Sequence, residues 1–209
     1  MRLILLTTIL ILVAMTAFAD QPALPIHPVN TFSIVCYDST TGQFGAAVQS
    51  HWFKVADVIW AEPGIGAVAT QSLADFTYGP LGLALLKNGR TPGQALAGLI
   101  EADPNSDVRQ VAIINATDVS THTGERCIAE AGHITGPNFS VQANLMENST
   151  VWQAMADAFV ATKGDLADRM MAALEAAQAE GGDIRGETVS RHDRGDRRAD
   201  RPTVARPDR

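Results

Sequence analysis

Cysteine is scarce in this sequence. Cys36 and Cys127 are the two thiols in 209 residues, so no dense disulfide framework can hold the fold and a hydrophobic core has to. Whether the two pair stays open, because spacing alone does not show proximity. Several motifs that would announce a chemistry are also missing. There is no Gly-x-Ser-x-Gly elbow, no P-loop and no dinucleotide-binding glycine run; Gly64-Ile65-Gly66 marks only a tight turn. His122 and His133 stand eleven apart with Cys127 between them, which is not zinc-ligand spacing. Neither a metal nor an organic cofactor is therefore expected. Positive charge is sparse as well. The formal net charge is −7, and residues 185–209 hold eight arginines against five acids, so with Arg2 set aside residues 20–184 carry −11. That balance argues against nucleic acid as a partner and against a polyanionic substrate.

What is present divides the chain into four parts. Arg2, the apolar stretch Leu3 to Met15 and the small-x-small site Ala17-Phe18-Ala19 read as a signal peptide, residues 1–19, with cleavage after Ala19. The apolar run is shorter than the roughly 20 residues of a spanning helix. A secreted or periplasmic protein, free of the membrane after cleavage, is the expectation. Residues 20–30 carry Pro22, Pro25 and Pro28 and read as an extended linker. Residues 31–186 form one domain by length and patterning. Residues 187–209 are dominated by Arg, Asp and Pro, and are expected to be disordered.

Within the domain the element order is four strands, two helices, three or four strands, two helices. Thr31 to Asp38 alternates apolar and polar residues and turns at Asp38 to Gly42 into a second strand, Phe44 to Ser50. Val55 to Trp60 and Ile65 to Thr70 read as the third and fourth. A helix from about Tyr78 to Leu86 presents Leu81, Leu85 and Leu86. Another starts at Thr91-Pro92, a cap followed by proline at the first helical position. Arg109 to Ile114 and Val119 to Thr123 are strands, with shorter ones over Cys127 to His133 and Phe139 to Gln142. Val151 to Ala161, with Trp152, Met155, Ala156, Phe159 and Val160 at helical spacing, and Asp165 to Glu180 are amphipathic helices whose Met and aromatic residues read as core. Grouped strands exclude a doubly wound parallel sheet. The predicted class is α+β, antiparallel sheets with paired helices on their faces. Ala- and Met-rich helix faces suit a homodimer.

Candidate site residues cluster at strand ends. Ser50-His51 closes the second strand just before Trp52 and Phe53. Adjacent residues rarely bring hydroxyl and imidazole together, so His51 reads as a site-lining ligand or as an aromatic-packed loop histidine, not as the base for Ser50. Gln71 and Asn144 lie at the ends of two other strands, where side-chain amides can donate to an oxyanion or shape a turn.

Several stretches, in order, resemble the DUF1028 family: Thr31-Phe32-Ser33-Ile34-Val35, Gly45 to Phe53, Trp60-Ala61-Glu62 with Gly64 to Ser72, Tyr78-Gly79-Pro80, Ala131-Gly132-His133, Phe139 to Asn144, and Gly182-Asp183-Ile184-Arg185-Gly186. The family is similar in fold to the N-terminal nucleophile hydrolases. The resemblance implies a four-layer αββα sandwich of two antiparallel sheets between helix pairs, and hydrolysis of an amide C–N bond in a small-molecule substrate. Thr31 Oγ becomes the candidate nucleophile and its α-amine the base, whose reference pKa of about 8 suits the task. Asn144 and Gln71 become catalytic amide contacts, and Ser50, His51, Glu62 and Asp183 substrate-binding residues. The alternative is a non-catalytic cell-envelope or ligand-binding protein on the same scaffold. Two departures stand out. Simpler members begin Met-Thr-Phe-Ser, whereas here eleven residues separate Ala19 from Thr31, so a free amine needs a second cut at Asn30–Thr31. After Gly186 the family's closing strand gives way to the Arg/Asp/Pro tail, which resembles an out-of-frame end.

Overall fold

A computed structural model describes residues 31–51, 54–182 and, as backbone, the strand 189–195. Among these residues the strands form two antiparallel sheets. The first has the order β7-β8-β1-β2-β9, from β7 (Gly132–Gly136), β8 (Phe139–Asn144), β1 (Thr31–Asp38), β2 (Gln43–Ser50) and β9 (Val189–Gly195). The second has the order β3-β4-β5-β6, from β3 (Ile59–Glu62), β4 (Gly66–Ser72), β5 (Arg109–Ile114) and β6 (Val119–Thr123). Helices α1 (Tyr78–Lys87) and α2 (Pro92–Ala102) cover the second sheet; α3 (Val151–Ala161) and α4 (Leu166–Ala179) cover the first. The protein is thus an α+β fold in which two antiparallel sheets are flanked by helix pairs.

Three apolar layers follow from strand alternation. Phe32, Ile34 and Cys36 of β1, with Phe139, Val141 and Ala143 of β8, face Met155, Phe159, Met170 and Leu174 of α3 and α4. Val68 of β4 and Val111 and Ile113 of β5 face Tyr78, Leu83, Ala95 and Leu96 of α1 and α2. Between the sheets, Val35, Phe44, Ala46 and Val48 meet Ile59, Ala67, Ala69, Ala112 and Ile114. Helix ends are fixed locally. Thr91 and Gln94 form a reciprocal capping box at α2, and Asp165 accepts the Asp168 backbone N–H at 2.9 Å to start α4.

Four expectations need correction. The stretch Val55 to Trp60 is not one strand: Val55–Val58 is a 3-10 turn, and β3 begins at Ile59. Residues three apart eclipse in such a turn, so Val55 and Val58 both point inward. In α1, Leu81 is 50% exposed, while Leu83 and Leu86 are buried beside Gly79 and Gly82. The inner face is lined by glycine because Trp60 lies across it: a Cβ on Gly79 would stand 2.2 Å from the indole. In α3, Val160 is exposed, whereas Val151, Met155, Ala156 and Phe159 are buried. Finally, the expectation of disorder from residue 187 onward fails for 189–195, which pair along β2 with Val189 opposite Ser50 and Gly195 opposite Phe44. Composition measures what side chains can bury; an edge strand is ordered by backbone pairing, and charged residues suit an edge.

Two glycines should respond oppositely to alanine. Gly98 in α2 has nothing within 4 Å of an added Cβ, so Gly98→Ala should stabilise by about 0.5–1 kcal/mol through helix propensity alone. Gly79→Ala should destabilise by about 1–3 kcal/mol, because overpacking against Trp60 outweighs the same propensity gain. Urea midpoints of the two variants check both signs. Thr70 Oγ1 is the buried side-chain oxygen without a partner among the described residues, on the β4 face that carries Val68. Thr70→Val should therefore raise stability by about 1 kcal/mol; a lower midpoint would show that the hydroxyl is satisfied in solution.

Candidate functional site

The layer between the sheets is apolar on one side and polar on the other. Along β1 and β8 the inward positions are Thr31, Ser33, Ser140, Gln142 and Asn144, and facing them on β4, β5 and β6 are Gln71, Gln110, Thr121 and Thr123. The same alternation that sends Phe32, Ile34, Phe139 and Val141 to the helices sends these residues to the opposite sheet.

Thr31 opens β1 between Ser50 of β2 and Asn144 of β8. It is 5% exposed. Its Oγ1 lies 2.9 Å from Ser50 Oγ. Its carbonyl oxygen accepts from Gln71 Nε2 at 3.2 Å and from Asn144 Nδ2 at 3.3 Å. The same two amides donate to Gln110 Oε1 at 2.7 and 3.2 Å. Thr31 with Asn144, and Gln71 with Gln110, are directly opposed cross-strand pairs. The two pairs thus close a four-bond ring across the sheets. Two amide groups carry four protons, and the ring uses four.

The seam continues from the ring in one direction. Ser33 Oγ donates to Gln71 Oε1 at 2.6 Å and accepts from Gln142 Nε2 at 2.6 Å. Ser140 Oγ donates to Gln142 Oε1 at 3.1 Å, so the 2.7 Å bond between Thr121 and Ser140 has Thr121 as donor. On the other side, Gln110 Nε2 faces Thr123 Oγ1, the Gly132 carbonyl and the Ala143 carbonyl at 2.9, 3.1 and 3.0 Å. Thr123 Oγ1 lies 2.8 Å from His133 Nδ1. Burial, helped by nearby His122, holds the His133 imidazole below its ordinary pKa.

The residues just past the two donor amides carry strain. Ser72 (φ 68) and Leu145 (φ 59) lie in the left-handed region directly after Gln71 and Asn144. Each costs roughly 1–2 kcal/mol relative to an ordinary conformation. The chain leaves both strands abruptly at the points where an amide is delivered to Thr31.

Behind Gln71, on the helix side, Arg109 Nε donates to Asp103 Oδ2 at 2.8 Å, Tyr78 Oη donates to the same oxygen at 3.1 Å, and Arg109 also donates to the Leu73 carbonyl. The side chains of Arg109 and Asp103 are 14% and 10% exposed. The Arg109 hydrogen bond holds the Asp103 carboxyl below the usual carboxylate range. This cluster ties down the chain that leaves β4.

Of the residues singled out from sequence, Thr31, Ser50, Gln71 and Asn144 come together. His51 follows Ser50 at the same end of β2 and is exposed. Glu62 does not join them. It pairs with Gly66, five residues before Gln71, or about 16 Å along the strand, and its carboxylate binds Lys87 at 2.8 Å. The sequence expectation failed there because a Trp-Ala-Glu motif locates a strand, not the end of the sheet it serves. Asp183 lies outside the described residues. Cys36 and Cys127 are free thiols. Cys36 is fully buried on the helix side of β1, and burial pushes its pKa up; burial also raises that of Cys127. Among the described residues no group of three His, Cys, Asp or Glu stands ready to hold a metal. Sequence reasoning missed Gln110 as a member of the seam. The signal was a glutamine directly before the apolar run Val111 to Ile114 in Arg109–Ile114.

Fold and seam together define a layered α+β protein with two antiparallel sheets, helix pairs outside, and a buried amide and hydroxyl network at one end of the inter-sheet layer. The chain belongs to DUF1028, a family of unknown function whose model matches residues 31–191. It is similar to the crystal structure of a Silicibacter pomeroyi protein of the same family, at 27% identity and a TM-score of 0.76, over 84% of this chain and 76% of that one. No curated protein matches it.

Removing the Arg109 guanidinium should cost about 1–3 kcal/mol, between the values for an exposed pair and for a fully buried one, because both side chains are partly solvated. Because the folded pKa of Asp103 is depressed, its contribution is present above the unfolded value of about 3.9 and is lost as pH falls through the folded value. Arg109→Met should thus lower the urea midpoint at pH 7. It should also lose less stability than wild type between pH 6 and pH 3. Parallel acid limbs would show that the pair does not carry this dependence.

Proposed function

We propose that this protein is an exported hydrolase of the N-terminal nucleophile type, cleaving an amide C–N bond in a small molecule with Thr31 Oγ1 as the nucleophile. The observation that carries this reading is the setting of Thr31. It heads β1, its hydroxyl rests on Ser50, and its carbonyl is held by two side-chain amides from opposite sheets. Membership in DUF1028 and the layered fold support the same class. Once the Asn30–Thr31 bond is cut, the Thr31 α-amine takes the hydroxyl proton as Oγ1 attacks the substrate carbonyl carbon. The proton passes to the departing amine as the C–N bond breaks. Water then hydrolyses the Thr31 ester, releasing the acid and restoring the hydroxyl.

The ring refines two assignments. The amide protons of Gln71 and Asn144 are already shared between the Thr31 carbonyl and Gln110, so these residues position the nucleophile's own peptide and leave no proton for an oxyanion. Ser33, the other inward hydroxyl of β1, is the weaker candidate for nucleophile, because it is fully buried and bonded to Gln71 and Gln142.

A second reading, a ligand-binding or cell-envelope protein on the same scaffold, is favoured by the near-complete burial of Thr31. N-terminal sequencing with intact mass separates the two. A chain starting at Thr31, with hydrolysis of small amides that falls at least about 10³-fold in Thr31→Ala and survives partly in Thr31→Ser, is expected for the hydrolase. A start at Asp20, or wild-type turnover in Thr31→Ala, overturns it.

A further inference from the structure

Gln110 touches neither Thr31 nor, on the hydrolase reading, any substrate, yet the ring is built on its oxygen. Its side chain is fully buried. Its Nε2 end lies among three acceptors, Thr123 Oγ1 and the carbonyls of Gly132 and Ala143. A flipped amide would place an oxygen against two carbonyls and set its NH2 against the NH2 groups of Gln71 and Asn144. The orientation is therefore fixed, with Oε1 directed at both donors. With Oε1 so fixed, each donor amide is held by one proton and can aim the other only at the Thr31 carbonyl. Gln71 is turned the same way by Ser33.

We infer that Gln110 is a positioning residue for the Thr31 nucleophile, acting through Gln71 and Asn144. The inference rests on the hydrolase reading and extends it to a residue on the other sheet. The three ring side chains, Gln71, Asn144 and Gln110, are all neutral amides, so the ring transmits geometry without itself adding charge beside the hydroxyl. The cross-strand pairing of Gln71 with Gln110 makes the element rigid, since both side chains leave the second sheet from opposed positions.

The test uses the full mature chain and phenylmethanesulfonyl fluoride. Labelling forms a bond from Thr31 Oγ1 to sulfur and breaks the S–F bond; fluoride leaves and the hydroxyl proton goes to the base. Intact mass and peptide mapping locate the adduct. Gln110→Met, close in volume and without polar atoms, should slow the maximal labelling rate at Thr31 at least tenfold while the half-saturating reagent concentration changes less than twofold. A folded Gln110→Met chain labelled at the wild-type rate overturns the inference and leaves the nucleophile reading intact. Absence of Thr31 labelling in the wild-type chain overturns the nucleophile reading itself, and the role of Gln110 with it. If Gln110→Met does not fold, side-chain amide exchange in the ¹⁵N-labelled wild-type protein decides. The inference expects slow exchange of both NH2 protons of Gln71 and of Asn144, and exchange at the free-amide rate overturns it.

Discussion

The four-bond ring between the sheets is the constraint on which the rest of the site depends. It needs Thr31 level with Asn144 on one sheet and Gln71 level with Gln110 on the other. A slip of one residue in either pairing would turn Asn144 or Gln71 toward the helices. The outer apolar layers prevent that slip. Phe32, Ile34, Phe139 and Val141 are buried against α3 and α4, and Val68, Val111 and Ile113 against α1 and α2. Burying such side chains stabilises by roughly 1.5–3 kcal/mol each, against about 0.5–1.5 kcal/mol for a typical net hydrogen bond. The hydrophobic faces therefore set the register, and the ring inherits it.

The inter-sheet layer shows the cost of this arrangement. One half is ordinary core around Phe44, Val48 and Ile59. The other half buries hydroxyls and amides that each need a partner, and a single missing partner would cost about 1–3 kcal/mol. The seam is satisfied along its length, from Thr121 through Ser140, Gln142 and Ser33 to Gln71. Left-handed Ser72 and Leu145 add strain at its end. A fold built for stability alone would fill this volume with valine and leucine. Sites that break local rules while the surroundings compensate are where function is expected.

Much of this was legible in the chain. Period-two alternation placed β1, short runs bounded by turns placed β5, β6 and β8, and the cap at Thr91 with Pro92 placed α2. Thr31, Ser50, Gln71 and Asn144 were found as polar residues at strand ends. The rest failed for identifiable reasons. Leu81 looked like core because leucine usually is, yet the inner face of α1 is glycine shaped to Trp60. Glu62 sat in a motif continuous with Gln71, but five residues of strand carried it to the far end of the sheet. The glutamine in β5 marked a polar position beside an apolar run, but Gln110 was missed as a site residue because a strand interior does not reveal which sheet it will face. Strand β9 was missed because edge pairing uses backbone groups that composition does not register.

The placement of the two donor amides also limits what they can do. They polarise the carbonyl of the Thr31–Phe32 peptide, on the C-terminal side of Thr31. The bond that the hydrolase proposal requires to be cut is the preceding one, with the Asn30 carbonyl. Amides aimed at the Thr31 oxygen therefore give that cleavage no electrophilic help, and polarising the Thr31 carbonyl serves no step on a substrate either. What two opposed donors on one carbonyl do provide is a fixed peptide plane. That plane sets the Cα–Cβ direction of Thr31 and, with it, the 2.9 Å approach of Oγ1 to Ser50. On the hydrolase proposal, a hydroxyl held in this way would lose little entropy on attack, which is where an intramolecular arrangement gains most. The ring is best understood as a mounting for one hydroxyl, built from two sheets so that neither can move it alone.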